Sequence, residues 1–305
     1  MKQIKVAVGV IKNADNELLI SLRHDHLHQG GLWEFSGGKI EPNETAEHAL
    51  KRELKEELGI EVIHAKPLIT INHQYSDRNV QLQVFLVTDY LGIACHGENQ
   101  DIRWVHESEL KQYQFPAANK PIITAARLPE HYAILDDAEP ELLKQHLNTI
   151  LSSGIKLIQA RLKQLPKPDE FINYAYTLCQ EHYAVFLLNS SVKSEIKTDG
   201  IHLTSRDLMA LSKRPDNISW LAASCHNIEE LKHAENIGVD FAVLAPVLAT
   251  KTHPNIEPLG WQQFAELVAQ CNIPVYALGG QNKDTLSIAQ QTGARGIAAI
   301  RAFLN

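Results

Sequence analysis

The sequence predicts an α/β protein in two parts: a mixed sheet with helices on its faces, then a small (β/α)8 barrel. Three observations carry this. Residues 1–128 set β-branched, partly alternating segments around one long helix pattern rich in leucine and glutamate. After Leu128-Pro129-Glu130-His131 the texture changes to short apolar runs with helical patterns between most of them, the signature of parallel βα units. At 305 residues and 44% hydrophobic content, the chain holds core material for two domains, expected at 1–128 and 131–305.

In order, QIKVAVGVI (3–11) and ELLISLR (17–23) read as strands joined through Asn13-Ala14-Asp15-Asn16, a hairpin. His24 to Gly31 is a loop rich in histidine and glycine, and Leu32 to Ser36 leads into Gly37-Gly38. Glycines there let backbone approach a phosphate or expose a carbonyl to a metal. A helix follows. Thr45 suits its N-cap, Glu44 and Glu47 lie near the positive end of its dipole, and Gly59 suits a left-handed stop. Leu50, Leu54 and Leu58 recur every four residues as a buried ridge. Residues 67–75 and 79–89 read as a strand pair turning at Ser76 to Asn79, and 101–106 as a short strand with a tryptophan. Glu107 to Gln114 and Lys120 to Arg127 read as helical.

Beside the leucine ridge runs a ridge of carboxylates. Glu53 stands at i,i+3 and i,i+4 to Glu56 and Glu57, and such like-charge pairs cost roughly 0.2–0.5 kcal/mol each. A divalent cation, which takes oxygen ligands, would reverse that sign. A solvated helix face relieved by Lys51 and Lys55 is the plainer reading, and the carboxylates alone do not choose between the two.

The formal net charge of -7 argues against a broad grip on duplex nucleic acid. The sequence has no apolar run long enough to span a membrane, and MKQIKVAVGVIK lacks the cleavage site of a signal peptide. The expected setting is cytoplasmic. Cys95, Cys179, Cys225 and Cys271 are too dispersed for a zinc knuckle or a disulfide framework and read as reduced thiols.

The stretch from Gly38 to Ile60 decides the reading of the helix. Gly38, Glu44, Arg52, Glu53, Leu54, Glu56, Glu57, Gly59 and Ile60 fill every fixed position of the Nudix box. Residues 1–128 further resemble the MutT-type Nudix hydrolases in QIKVAVGVI, LWEFSGGKIE and FPAANKPII (115–123). That resemblance implies a metal-dependent nucleoside triphosphate pyrophosphohydrolase, with 8-oxo-dGTP as substrate and Mg²⁺ or Mn²⁺ as cofactor. It implies metal ligands at Gly37, Glu53, Glu56, Glu57 and Glu98, with Glu98 also a base toward water and Arg52 orienting the glutamates. It implies nucleotide contacts at Arg23, His28, Glu34, Phe35, Lys39, Arg78 and Asn119. The Asn119 amide, donor and acceptor together, suits the O6 and N7–H edge of an 8-oxopurine. One departure is Ser36, where the family usually has proline, expected to loosen the loop.

The second half offers eight strand-like segments: 132–137, 154–161, 184–189, 199–203, 218–224, 239–247, 273–280 and 294–300. The stretch is short against the about 250 residues usual for such barrels, so some helices must be short. Polar residues mark the strand ends, where barrels hold their chemistry: Gln159, Arg161, Asn189, His202, Ser224, His226, Thr250, Lys251, Gly279 and Gly280. Glycines after the seventh strand suit a backbone phosphate site, and Arg161 and Lys251 suit anionic groups.

QAR, DGIHL, SCH, PVLATKTHP and ALGG follow the order and spacing of the thiamine phosphate synthase/TenI family. The resemblance implies a phosphorylated thiazole or pyrimidine as barrel ligand. It also exposes a gap: the synthases use an Asn-Asp pair after the third strand for Mg²⁺–pyrophosphate, and this chain has Asn189-Ser190, with Asp207 the nearest acidic residue in the pattern. Two readings stay open. The barrel is a phosphate-ligand-binding or degenerate synthase domain, or it is an active synthase whose Nudix half acts on thiamine-related pyrophosphates.

Overall fold

Alternate side chains of the first strand feed two separate cores, and that sets the plan of the N-terminal half. The computed structural model describes residues 3–26, 29–75, 78–95, 100–250 and 256–304. They divide into two units, Met1–Arg127 and Leu128–Asn305.

In the first unit β1 (Gln3–Ile11) is followed by β2 (Glu17–Leu22), β3 (Trp33–Glu34), β4 (Gly37–Lys39) and α1 (Ala46–Leu58). Then come β5 (Glu61–Gln74), β6 (Asn79–Leu91), β7 (Ile102–His106) and α2 (Lys120–Arg127). One sheet runs β4-β1-β6-β5, with β1 and β6 parallel, and a second runs β3-β2-β7. Ala7 and Ile11 of β1 join Leu50, Leu54 and Leu58 of α1 in one core. Val8 and Val10 join Ile20, Val105 and Ile122 in the other. Burying an apolar side chain of this size is worth about 1.5–3 kcal/mol, so β1 serves both faces as a central strand should. The helix ends as its sequence dictates. The Thr45 hydroxyl accepts from the His48 N–H at 3.2 Å, and Gly59 turns left-handed at φ 70°.

Three expectations need correction. β1 and β2 do not form a hairpin ladder: the edges of β1 are taken by β4 and β6, and the backbone pairing toward β2 is a single Lys12–Leu18 bridge just past the end of β1. β5 begins at Glu61, ahead of the expected residue 67. Pro67 is tolerated inside it because β5 is an edge strand and its pairing is bulged beside Pro67. The expected helix over 107–114 is a single 3-10 turn, Leu110–Gln112, with only Leu110 buried to anchor it.

In the second unit all eight expected strands form and close into one parallel barrel. The first half contains β8 (His131–Asp136), α3 (Pro140–Ser152), β9 (Leu157–Arg161), α4 (Asp169–Glu181), β10 (Val185–Asn189), β11 (Gly200–Leu203) and α5 (Ser205–Ala210). The second contains β12 (Trp220–Cys225), α6 (Ile228–Ile237), β13 (Phe241–Leu244), α7 (Gly260–Val268), β14 (Val275–Leu278), α8 (Leu286–Gln291) and β15 (Gly296–Ala299). Economy comes from six-residue helices α5 and α8, and from β10 to β11, joined by residues 190–199 without a helix. Tyr132, Leu157, Leu187, Phe241 and Tyr276 fill the interior, while the outer faces pack on the helices. The lower end is tied by polar contacts: the Tyr276 hydroxyl donates to the Pro129 carbonyl at 2.5 Å, and the buried Arg295 donates to the Leu128 carbonyl.

Candidate functional site

The charged ridge of α1 is gathered by one arginine. Arg52 Nε donates to Glu44 Oε1 at 3.1 Å and Nη2 to Glu44 Oε2 at 3.0 Å. Its Nη1 reaches Glu53 Oε1 at 2.6 Å and Glu56 Oε2 at 3.5 Å, and Nη2 also meets the Lys39 carbonyl at 3.1 Å. Hydrogen bonds from Glu44 and then Glu53 hold the guanidinium pKa above its ordinary value. The same contact holds the Glu44 carboxyl below the usual carboxylate range.

The glycine turn meets this ridge edge to edge. Gly37 N–H donates to Glu57 Oε2 at 3.1 Å, and Gly37 has φ 154°. A Cβ on Gly38 would lie 2.0–2.3 Å from the Glu53 carboxylate, so a larger residue there would displace that carboxylate from its place beside the turn. Among the described residues, no three His, Cys, Asp or Glu side chains converge as a finished metal cage. Arg52 engages Glu53 and Glu56, and the Gly37 N–H engages Glu57. The expected positions Glu98 and His28 lie outside the described residues.

A cavity of about 250 Å³ opens beside the turn. The remaining expected positions Arg23, Glu34, Phe35, Lys39, Arg78 and Asn119 all line it, together with Gly37 and Gly38. Phe35 stacks on Phe115 with centroids 5.8 Å apart. Asn119, 8% exposed, closes a 3-10 turn over Ala117–Asn119. Arg23 and Glu34 form an ion pair in the wall; burial pushes the Glu34 carboxyl up, against the pull of Arg23.

One lining residue of this wall was missed in the sequence. Tyr75 lines the cavity too, and its place on the same turn as Arg78 was the available signal. Ser36, where the family usually has proline, is buried, with its hydroxyl 3.3 Å from the buried Ser21 hydroxyl, and its carbonyl accepts from Gly9 N–H at 2.9 Å.

In the barrel, Gln159, Asn189, His202 and Ser224 join one hydrogen-bonded run through Tyr132. Arg161 forms a two-pronged bond to Asp136 at 3.0 and 2.7 Å. Thr250, Gly279 and Gly280 line a second cavity of about 290 Å³, with Arg301 also in its lining; Lys251 lies outside the described residues. Gly279 and Gly280 have φ of 98° and 66°, and a Cβ on either would press within 3 Å of the Pro246–Ala249 segment. Ser190, in place of the synthases' aspartate, donates to Asp207 Oδ2 at 2.5 Å and accepts from Thr204 N–H at 2.9 Å. That Ser190 bond, with one from Thr204, holds the Asp207 carboxyl below its ordinary range. His226 leans on Glu230 at 3.0 Å. Tyr132, Asp136 and Arg301 are polar members that sequence reasoning missed. No helix among the described residues is long and apolar enough to cross a membrane.

The fold and its two sites define a Nudix hydrolase domain joined to a barrel of the thiamine phosphate synthase type. Residues 7–125 match the NUDIX domain family, and residues 131–303 match the thiamine monophosphate synthase family. The chain belongs to both, one through each half, and it is an enzyme with Nudix hydrolase activity. It is 38% identical over 123 residues to the 8-oxo-dGTP diphosphatase of Escherichia coli, covering 40% of this chain and 95% of that one. It is 37% identical over 125 residues to the CTP pyrophosphohydrolase of Escherichia coli, covering 41% and 92%. Against a provisionally named thiamine-phosphate synthase 2 of Aquifex aeolicus it is 34% identical over 184 residues, covering 58% and 98%.

Proposed function

We propose that the N-terminal half hydrolyses 8-oxo-dGTP to 8-oxo-dGMP and pyrophosphate. One observation carries this reading: Asn119, Phe35, Arg23 and Arg78 share a cavity with the Gly37-Gly38 turn that abuts the glutamate ridge. A base in that cavity would have its phosphates near the carboxylates.

The donor set fits Mg²⁺ or Mn²⁺. Glu53, Glu56, Glu57, Glu98 and the Gly37 carbonyl are all hard oxygen donors, and Mg²⁺ usually needs only one or two carboxylates besides water and substrate phosphates. When bound, such an ion neutralises the polyphosphate and polarises a phosphoryl oxygen. The chain supplies the rest. Arg52 keeps mutually repelling carboxylates together. Asn119 offers donor and acceptor to the O6 and N7–H edge, Phe35 presents a flat apolar face, and Lys39 adds positive charge beside the phosphates. By family analogy Glu98 takes a proton from the water that attacks the β-phosphorus.

The test is kcat/KM for 8-oxo-dGTP, dGTP and CTP with Mg²⁺, following pyrophosphate. A strong preference for the oxidised nucleotide is expected. Preference for CTP, the second reading favoured by the 37% identity to a CTP pyrophosphohydrolase, would replace the substrate and keep the chemistry.

For the barrel we infer a phosphate-ligand-binding domain without synthase chemistry. The residues there do not fit the family's metal: Ser190 donates a hydrogen to Asp207 where the synthases offer a second carboxylate. Rescue of a thiamine-requiring strain by the full chain would overturn this reading and favour an active synthase.

A further inference from the structure

The barrel interior carries a run of hydrogen bonds whose sense is fixed from one end. The Ser191 backbone N–H can only donate, and it reaches Asn189 Oδ1 at 3.1 Å. That sets the orientation of the Asn189 amide, so its Nδ2 donates to Gln159 Oε1 at 2.8 Å. The Gln159 amide nitrogen then faces the Tyr132 hydroxyl at 3.0 Å and donates to it. Tyr132 is 0% exposed, and the acceptor available to its own hydrogen is His202 Nδ1 at 2.9 Å. Were Nδ1 protonated, the phenol would be a buried donor without an acceptor, which folded proteins avoid. Nδ1 therefore accepts, the ring hydrogen sits on Nε2, and Nε2 donates to Ser224 Oγ at 2.9 Å. Burial, and then the charge of Arg161, pushes His202 down to about 3, so the ring remains neutral near pH 7. Ser224, half-buried at the mouth end of β12, spends a lone pair on His202 and keeps its hydrogen.

We infer that the Ser224 hydroxyl is a fixed hydrogen-bond donor at the barrel mouth, that Tyr132 and His202 are positioning residues holding it in that sense, and that the barrel ligand presents an acceptor there, such as an unprotonated ring nitrogen or a carbonyl oxygen. The ligand half rests on the reading of the barrel as a phosphate-ligand domain. The hydrogen assignment does not.

The experiment is done on the full chain in two arms. Nitrogen-15 NMR at pH 7 should find His202 with a pyrrole-type Nε2 and a pyridine-type Nδ1. The opposite tautomer, or two protonated nitrogens, would overturn the inference whatever the barrel binds. In the second arm, thiazole phosphate and inorganic phosphate are titrated by calorimetry. Tyr132→Phe should release the tautomer and weaken thiazole phosphate about tenfold, the scale of one hydrogen bond. Ser224→Ala should match that loss, Ser224→Thr should restore it, and inorganic phosphate should bind all four chains alike. A Tyr132→Phe chain with unchanged tautomer and affinity would overturn the positioning roles. A wild-type chain taking phosphate but not thiazole phosphate would overturn the assignment of an acceptor-bearing ring. Uptake of neither would overturn the underlying reading of the barrel while the tautomer result stood.

Discussion

The two sites hold polar groups together by opposite means. On α1 a charged arginine gathers charged glutamates at a partly exposed surface, where water can replace any one contact. Inside the barrel, amides, a phenol and an imidazole pair without a formal charge, buried so deeply that a lost partner has no replacement. Exposed ion pairs contribute little to stability, whereas a buried donor or acceptor left alone costs about 1–3 kcal/mol. The Nudix ridge can therefore be rearranged by a ligand at small structural cost. The barrel relay is part of what keeps the barrel folded.

That contrast can be broken in four places. The largest effect is expected at Glu53→Gln. If its carboxylate holds the metal, pyrophosphate release should fall about a thousandfold, the several kcal/mol a metal contributes, while the melting temperature barely moves. Full turnover in this variant would remove the metal assignment. Next, Gln159→Leu should lower barrel stability by about 1–3 kcal/mol in urea unfolding, because it strands the buried Asn189 amide and removes the donor that Tyr132 accepts from. Nudix turnover should be unchanged; equal loss in both would show the two kinds of site to be alike.

Third, Asn119→Ala should cost 8-oxo-dGTP about tenfold in kcat/KM and dGTP much less, erasing the preference. An unchanged ratio would take the base reading away from Asn119. The fourth effect is a slope. His202 has a folded pKa of about 3 against an ordinary 6.5, so between those values the unfolded chain binds the extra proton. Stability is then fully present above pH 6.5 and is lost as pH falls toward 3, by up to about 1.4 kcal/mol per pH unit. His202→Gln should flatten that limb of the urea-midpoint curve. A limb of unchanged steepness would mean that other groups carry it.

What could be read from the sequence follows the range of the interaction. The α1 cap at Thr45, its leucine ridge and its stop at Gly59 are local, and each forms as spaced. Strand existence was legible throughout the barrel because each strand is a short apolar run. Strand partnership was not: nothing within residues 3–23 says that β1 will take β4 and β6 and leave β2 to another sheet. The cavity residues Arg23, Glu34, Phe35, Lys39, Arg78 and Asn119 were named from a family pattern, and they line one cavity. Tyr75 and Ser21 escaped because their meaning depends on what packs against them. Tyr132 escaped for a related reason. It sits at the start of its strand, far from the polar ends, and only the length of its side chain carries it up to His202.

The connection between β10 and β11 has one more consequence, for the motion of the barrel. Segments with few buried apolar contacts open locally before a packed core does. Here the sector of that connection lacks a helix, and a cavity of about 520 Å³ lies against Leu188, Val192, Ile196, Ile201 and Leu203. Its backbone amides should trade hydrogen for deuterium sooner than those of β13 and β14, which are buried along their length save for Leu278. Asn189, which anchors the relay, ends the strand that leads into this sector. Breathing of the barrel wall would then unhook the relay at its root, and a ligand that grips the mouth would quieten the whole sector.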